Sequence, residues 1–237
     1  MKSRSVYLLI LLLFALCLLG ANQTESKSSV AGPISTKAHA EMAKEHSEAE
    51  KTNFKGDQYT KLGEFYDDNI KGKTEADDSE VLAVVNGKNI TQKLVDGYMT
   101  SYEIVGEKKS KEEIIEKIAT DILLTKEAQE HDITVSDDEV SKVIEDQMKL
   151  LKETTTYKEF QNYLSGADIT EEEYIKIVTP IYKKLLIQGK YKNEILRREF
   201  QEKNSDIQES EFHNAFEEYY QKYKEELFDN AEIEYLD

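Results

Sequence analysis

Three short stretches constrain this chain more than any other feature. "SKEE" (110–113), "SDDE" (136–139) and "TEEE" (170–173) each stand at the head of an apolar repeat with helical spacing. In each, a Ser or Thr hydroxyl can accept from the backbone N–H three residues on. The Glu there can reach back to the N–H of the Ser or Thr, so two orphan donors are satisfied at once. The acids that follow also suit the positive end of the helix dipole. Behind the caps run Ile114, Ile115, Ile118, Ile122 and Leu123; then Val140, Val143, Ile144, Met148 and Leu151; then Tyr174, Ile175, Val178, Ile181, Leu185 and Leu186. Only two prolines and ten glycines occur in 237 residues. The expected fold is therefore mainly α with a small β element. Pro180 lies inside the last repeat, where it removes a donor and crowds the preceding turn, so a kink or restart is expected near Thr179. The pattern then continues to about Arg198, and "YKEFQNYLSGADI" (157–169) reads as a short helix ended by Gly166.

The β signal sits at the two ends of the helical region. "VLAVVNGKNIT" (81–91) is a β-branched run broken by Asn86-Gly87, whose residues tolerate the positive φ of a tight hairpin. Thr91 is placed to cap a helix through Leu94, Val95, Tyr98 and Tyr102. The chain closes on "AEIEYLD" (231–237), where Ile233 and Tyr235 alternate with acids. A lone strand cannot satisfy its own backbone. Pairing between the first and last strands, about 81–90 and 231–236, is expected, with Ile233 and Tyr235 buried against 81–90.

The N-terminus reads as a separate zone. Lys2 and Arg4 precede the apolar run of residues 6–21, the pattern of a secretory signal or N-terminal membrane anchor. The expected location is outside the cytoplasm, at the outer face of the cytoplasmic membrane or secreted. Cys17 is the candidate for lipidation, but Leu16 before it is a poor fit to the small residue such a site needs. The plainer reading is one more small apolar residue of the signal. Residues 22–79 are polar and small, too poor in apolar side chains to offset ordering entropy, and read as a flexible linker. Phe54, Tyr59, Phe65 and Tyr66 are its few residues suited to local docking. His39 and His46 have no ligand partners at metal spacing. The domain boundaries that follow are 1–21, 22–79 and 80–237.

A formal net charge of −17 argues against nucleic acid, since phosphate binding needs Lys and Arg to displace counterions. No nucleophile–base set, zinc motif or phosphate loop appears, so neither an enzyme site nor a cofactor is expected. The residues left for binding are aromatic: Phe212, Phe216, Tyr219, Tyr220 and Tyr223 on one face of 209–228, with Tyr98 and Tyr102 on the early helix. A stripe at helical spacing is more often core than an open face.

The order of these elements resembles the SurA/PrsA-type extracytoplasmic chaperone family. The resemblance rests on "VLAVVNGKNITQKLVDGYM", on Ala128, Ile133, Val135, Ser136, Glu139 and Val140 around the second cap, on "YKEFQNYLSGADITEEEYIKIVTPIYKKLLIQ", and on the closing "AFEEYYQKYKEELFDNAEIEYLD". It covers roughly 80–237. Many members carry a parvulin prolyl-isomerase domain before the last helix, where this chain has only "QEKNSDIQES" (201–210). A domain of about a hundred residues does not fit there. The resemblance thus implies a holdase for unfolded or partly folded exported proteins, linked to the membrane through the N-terminus, without isomerase activity. The alternative is an adaptor or assembly factor for one cell-envelope protein.

Overall fold

The computed structural model describes residues 56–69, 80–154 and 156–236. The N-terminal apolar run, Cys17, His39 and His46 lie outside the described residues. The elements are α1 (Gly56–Asn69), β1 (Val81–Val85), β2 (Lys88–Thr91), α2 (Gln92–Ile104), α3 (Lys111–Glu130), α4 (Asp137–Lys152), α5 (Tyr157–Gly166) and α6 (Glu171–Lys190). A π-helical turn (Tyr191–Leu196), α7 (Arg197–Lys203), α8 (Glu209–Asp229) and β3 (Ile233–Tyr235) follow.

All three caps form as the residue types require. Ser110 accepts from Glu113 N–H at 3.1 Å while the Glu113 carboxylate accepts from Ser110 N–H at 2.7 Å. Ser136 and Glu139 repeat this at 3.2 and 2.8 Å, and Thr170 and Glu173 at 3.2 and 2.8 Å. Leu94 N–H donates to Thr91 Oγ1 at 3.3 Å, the cap read from the hairpin's end.

The residues divide into two compact units rather than one domain over 80–237. The first holds α1, residues 104–106 and residues 141–181; the second holds the strands, α2 and α3, and residues 182–236. In the first unit, α1 packs against α5. It buries Tyr59, Leu62 and Tyr66, while α5 buries Phe160 and Tyr163. Backbones meet at two glycines. A Cβ at Gly63 would lie 2.2 Å from Tyr163 O, and one at Gly166 would lie 2.3 Å from Thr60 O. Gln58 Nε2 also donates to Ile104 O at 2.9 Å. The reading of 22–79 as a linker is thus corrected for residues 56–69. Tyr59, Leu62 and Tyr66 repeat at helical spacing, and Gly63 on that face permits close approach rather than ending the helix.

In the second unit the sheet order is β2-β1-β3, all antiparallel. Asn86 and Gly87 take φ of 49° and 71°, the paired positive values of a type I′ turn. The first and last strands do pair: Val85 faces Ile233, Val84 faces Glu234 and Ala83 faces Tyr235. Leu236 N–H adds a bond to Leu82 O at 3.0 Å. The expected burial of the last strand holds only in part. Ile233 is half-buried, but Tyr235 is 60% exposed. β3 is a three-residue edge strand, and Tyr235 lies toward the end of the pairing while the sheet's core residues, Ala83, Val85 and Ile90, belong to β1 and β2.

Pro180 does not break its helix. α6 runs unbroken through it to Lys190, and Thr179 Oγ1 donates to Ile175 O at 2.7 Å. The irregularity falls later, in the π turn at 191–196.

Candidate functional site

The second unit carries the aromatic stripe. Phe216 and Tyr220 follow Phe212 at four-residue steps, and Tyr219 and Tyr223 lie three and seven residues beyond Phe216, so α8 presents them on one broad side. That side lies against the π turn, α7 and α3, in a cluster with Ala128, Tyr191, Leu196 and Phe200. A π turn accommodates one residue more than an α turn. Here it brings Tyr191, Leu196 and Phe200 together at spacings of five and four. Phe200 is the hub: its ring centroid lies 5.5 Å from Phe212, 5.7 Å from Phe216 and 5.0 Å from Tyr219. The Tyr191 and Tyr223 hydroxyls meet at 2.7 Å.

Of the seven aromatics singled out in sequence, Phe216 and Tyr98 are core residues, 0% and 4% exposed. Phe216 backs the stripe, and neither residue presents an open face. Phe212, Tyr219, Tyr220, Tyr223 and Tyr102 are half-buried. Burial raises every one of the tyrosine hydroxyls. Tyr98 is held well above its ordinary value by burial and then by Asp121. Burial, with Glu107 and Asp121 behind it, raises Tyr102. Tyr220 is pushed up to about 12 by burial, Asp121 and Glu217. Burial and the hydroxyl–hydroxyl bond with Tyr191 raise Tyr223. These rings are neutral at ordinary pH: apolar bodies with a hydroxyl handle.

Cations frame the stripe, and sequence reading missed them. Lys192 Nζ donates to both Glu217 oxygens, at 2.7 and 2.9 Å, and lies 4.4 Å from the Tyr220 centroid. Lys224 Nζ lies 5.1 Å from the same ring. The Arg197 guanidinium sits 5.1 Å from the Phe212 ring. No periodicity announces these residues; only their basic character beside aromatics in an acidic chain was visible. Among the described residues, no group of three His, Cys, Asp or Glu could hold a metal, and no helix is long and apolar enough to cross a membrane. His131 is exposed, with Nδ1 2.9 Å from Glu127 O. The arrangement can hold apolar and aromatic groups, with charge at its margin; it contains no nucleophile–base pair.

A family model described as the SurA-like N-terminal domain matches residues 66–188. The chain belongs to this family. No curated protein and no solved structure matches it. The SurA-like N-terminal match begins inside α1 and ends inside α6. Tyr98 and Tyr102 therefore fall within the SurA-like region. The π turn and the aromatic stripe of α8 lie beyond the matched residues.

Proposed function

We propose that this chain is an extracytoplasmic chaperone, a holdase that binds unfolded or partly folded exported polypeptides, held at the membrane by its N-terminus or released from it. Membership of the SurA-like family supports a chaperone-type role. The observation that carries the reading to a site is the half-buried aromatic face of α8, backed by Phe216 and Phe200. Non-directional attraction between apolar groups is what a binder of many unfolded sequences needs, and it requires no reacting group. Isomerase activity forms no part of the proposal. Only residues 204–208 link α7 to α8, at the place where a parvulin domain would be inserted.

The test is suppression of aggregation of a chemically unfolded client by the whole chain. A fragment starting at residue 80 is unsuitable, because it lacks α1 and uncovers α5. Aggregation slowed at stoichiometric ratios is the expected result. A whole chain that is inert in molar excess would refute the proposal. Capture of one folded envelope protein at fixed stoichiometry, with no effect on unfolded clients, would replace it with the adaptor reading.

A further inference from the structure

A chain of net charge −17 gathers an excess of positive charge at one place. Three helices of the second unit build it. On α3, Lys117 and Asp121 are one turn apart and share a face. From α6, Lys184 Nζ reaches Asp121 at 3.6 Å, with their side chains only 20% and 21% exposed. One turn on, Gln188 Nε2 fixes the same stretch of α3 by donating to Asp121 O at 3.0 Å and Thr125 Oγ1 at 2.9 Å. From the π turn and α8 come the Lys192–Glu217 pair and Lys224, with both ammonium groups close to the Tyr220 ring.

Charges do not balance here. Asp121 and Glu217 each hold one lysine, Lys184 and Lys192. Lys117 and Lys224 are half-buried, and among the described residues neither has a carboxylate within ion-pair reach. They also repel their neighbours. Burial lowers the Lys224 pKa, with Lys192 and Lys117 adding to it and Asp121 and Glu217 opposing. Burial lowers that of Lys184 too, with Lys88 and Lys117 acting in the same direction and Asp121 opposing. Partly desolvated like charges held together cost stability unless an anion relieves them. A fold rich in Glu and Asp had ample carboxylates with which to pair these lysines, and it leaves them unpaired.

We propose that Lys224, beside the Tyr220 ring, and Lys117, on the helix α3 that packs against α8, form a docking site for a carboxylate-bearing polypeptide segment, with Glu or Asp next to aromatic or apolar residues. Charge complementarity and the tyrosine ring beside Lys224 select this occupant. Extended polyanions such as nucleic acid or an anionic bilayer meet the repulsion of the rest of the surface, whereas one or two carboxylates on a flexible chain reach the half-buried lysines alone. The inference rests on the preceding reading only in taking a polypeptide as the partner, and it makes acidic–aromatic segments the preferred ones.

The experiment uses the whole chain and a short fluorescein-labelled peptide rich in Glu and Tyr, read by anisotropy across a salt series. A counterpart with Gln for Glu serves as the neutral probe. Expected are salt-sensitive binding of the acidic peptide and a loss of roughly tenfold or more for Lys117→Gln and for Lys224→Gln, the size of a charge-assisted contact. Lys117→Arg and Lys224→Arg should retain binding. Lys222→Gln, which alters an exposed lysine on the same helix paired to Glu226, should leave it unchanged. Thermal midpoints establish that the variants are folded; each Gln variant removes only an unpaired charge, and the Arg variants give the same test with charge kept. Equal binding of the Gln peptide, no binding, or equal effects of Lys222→Gln and Lys224→Gln would overturn the proposal. So would displacement of the peptide by inorganic phosphate or by anionic vesicles. Aggregation suppression of a basic client, measured on the same variants, separates the two readings. If suppression persists while the peptide fails to bind, only the acidic site is lost.

Discussion

Gly63→Ala gives a stringent test of how α1 is held. On an open helix face this substitution is favourable by about 1 kcal/mol, because Ala is the better helix former. At position 63 the added Cβ would stand 2.2 Å from Tyr163 O and 2.6 Å from Ala167 N. Both are backbone atoms of α5 or its cap, so no side chain can swing aside. Ordinary contact is about 3.5 Å, and α1 must retreat by about 1 Å to reach it. Retreat loosens Tyr59, Leu62 and Tyr66, whose burial is worth roughly 1.5–3 kcal/mol each if wholly lost. Overpacking that is only partly relieved costs about 1–3 kcal/mol. With rigid partners the upper end applies, and the net destabilisation after the propensity gain is about 2 kcal/mol. Gly97→Ala on α2 is the control, since beyond the helix's own neighbouring backbone no atom lies within 4 Å of its Cβ; it should stabilise. Urea unfolding of the whole chain measures both, and hydrogen exchange reads protection in α1 directly. The two variants should shift stability in opposite directions, with protection in α1 lost in Gly63→Ala alone. Shifts of the same sign would refute the close helix crossing.

Three other outcomes follow from geometry. Glu139 is held down to about pKa 2, first by the hydrogen bond from Lys190 and then by Ser136 N–H. A lowered carboxylate contributes stability above its unfolded pKa of about 4.5, and that contribution is lost as pH falls toward 2; Glu139→Gln should flatten the acid limb of a stability–pH curve. Because its side chain is half exposed, the effect is about 1 kcal/mol after screening. Gly87→Ala forces alanine to φ 71° in the hairpin turn and should cost about 1 kcal/mol, read as a lower thermal midpoint. Tyr223→Phe leaves the Tyr191 hydroxyl without its 2.7 Å partner and should cost about 1 kcal/mol in chemical unfolding.

Local chemistry in the sequence carried the elements it governs. A capping box names its own donors and acceptors, so Ser110, Ser136 and Thr170 were legible with their glutamates. Asn86-Gly87 named its turn, and the unsatisfied backbone of 231–237 pointed to β1. What was illegible depends on a second surface. Gly63 gives no signal when read alone, and marks a helix crossing only with Gly166 opposite. Pro180 predicted a kink or restart near Thr179, and α6 does not restart there, while nothing in "YKNEIL" announces a π turn. The aromatic stripe was visible by period, but which rings are core depends on Phe200. The lysines around Tyr220 come from separate helices, and no spacing in the chain brings them together.

The pairing of β1 with β3 bears on how the second unit is made. The β1–β2 hairpin closes over two residues and can form within microseconds of synthesis. The other edge of β1 waits for Ile233–Tyr235, which are translated only after every helix from α2 to α8. Closing so long a loop is slow to achieve even though its entropy grows gently with length. Until then "VLAVV" offers an open apolar edge, the kind of surface on which nascent chains aggregate. For that interval, a protein of a chaperone-type family resembles a client itself, and the arrival of β3 ends the interval.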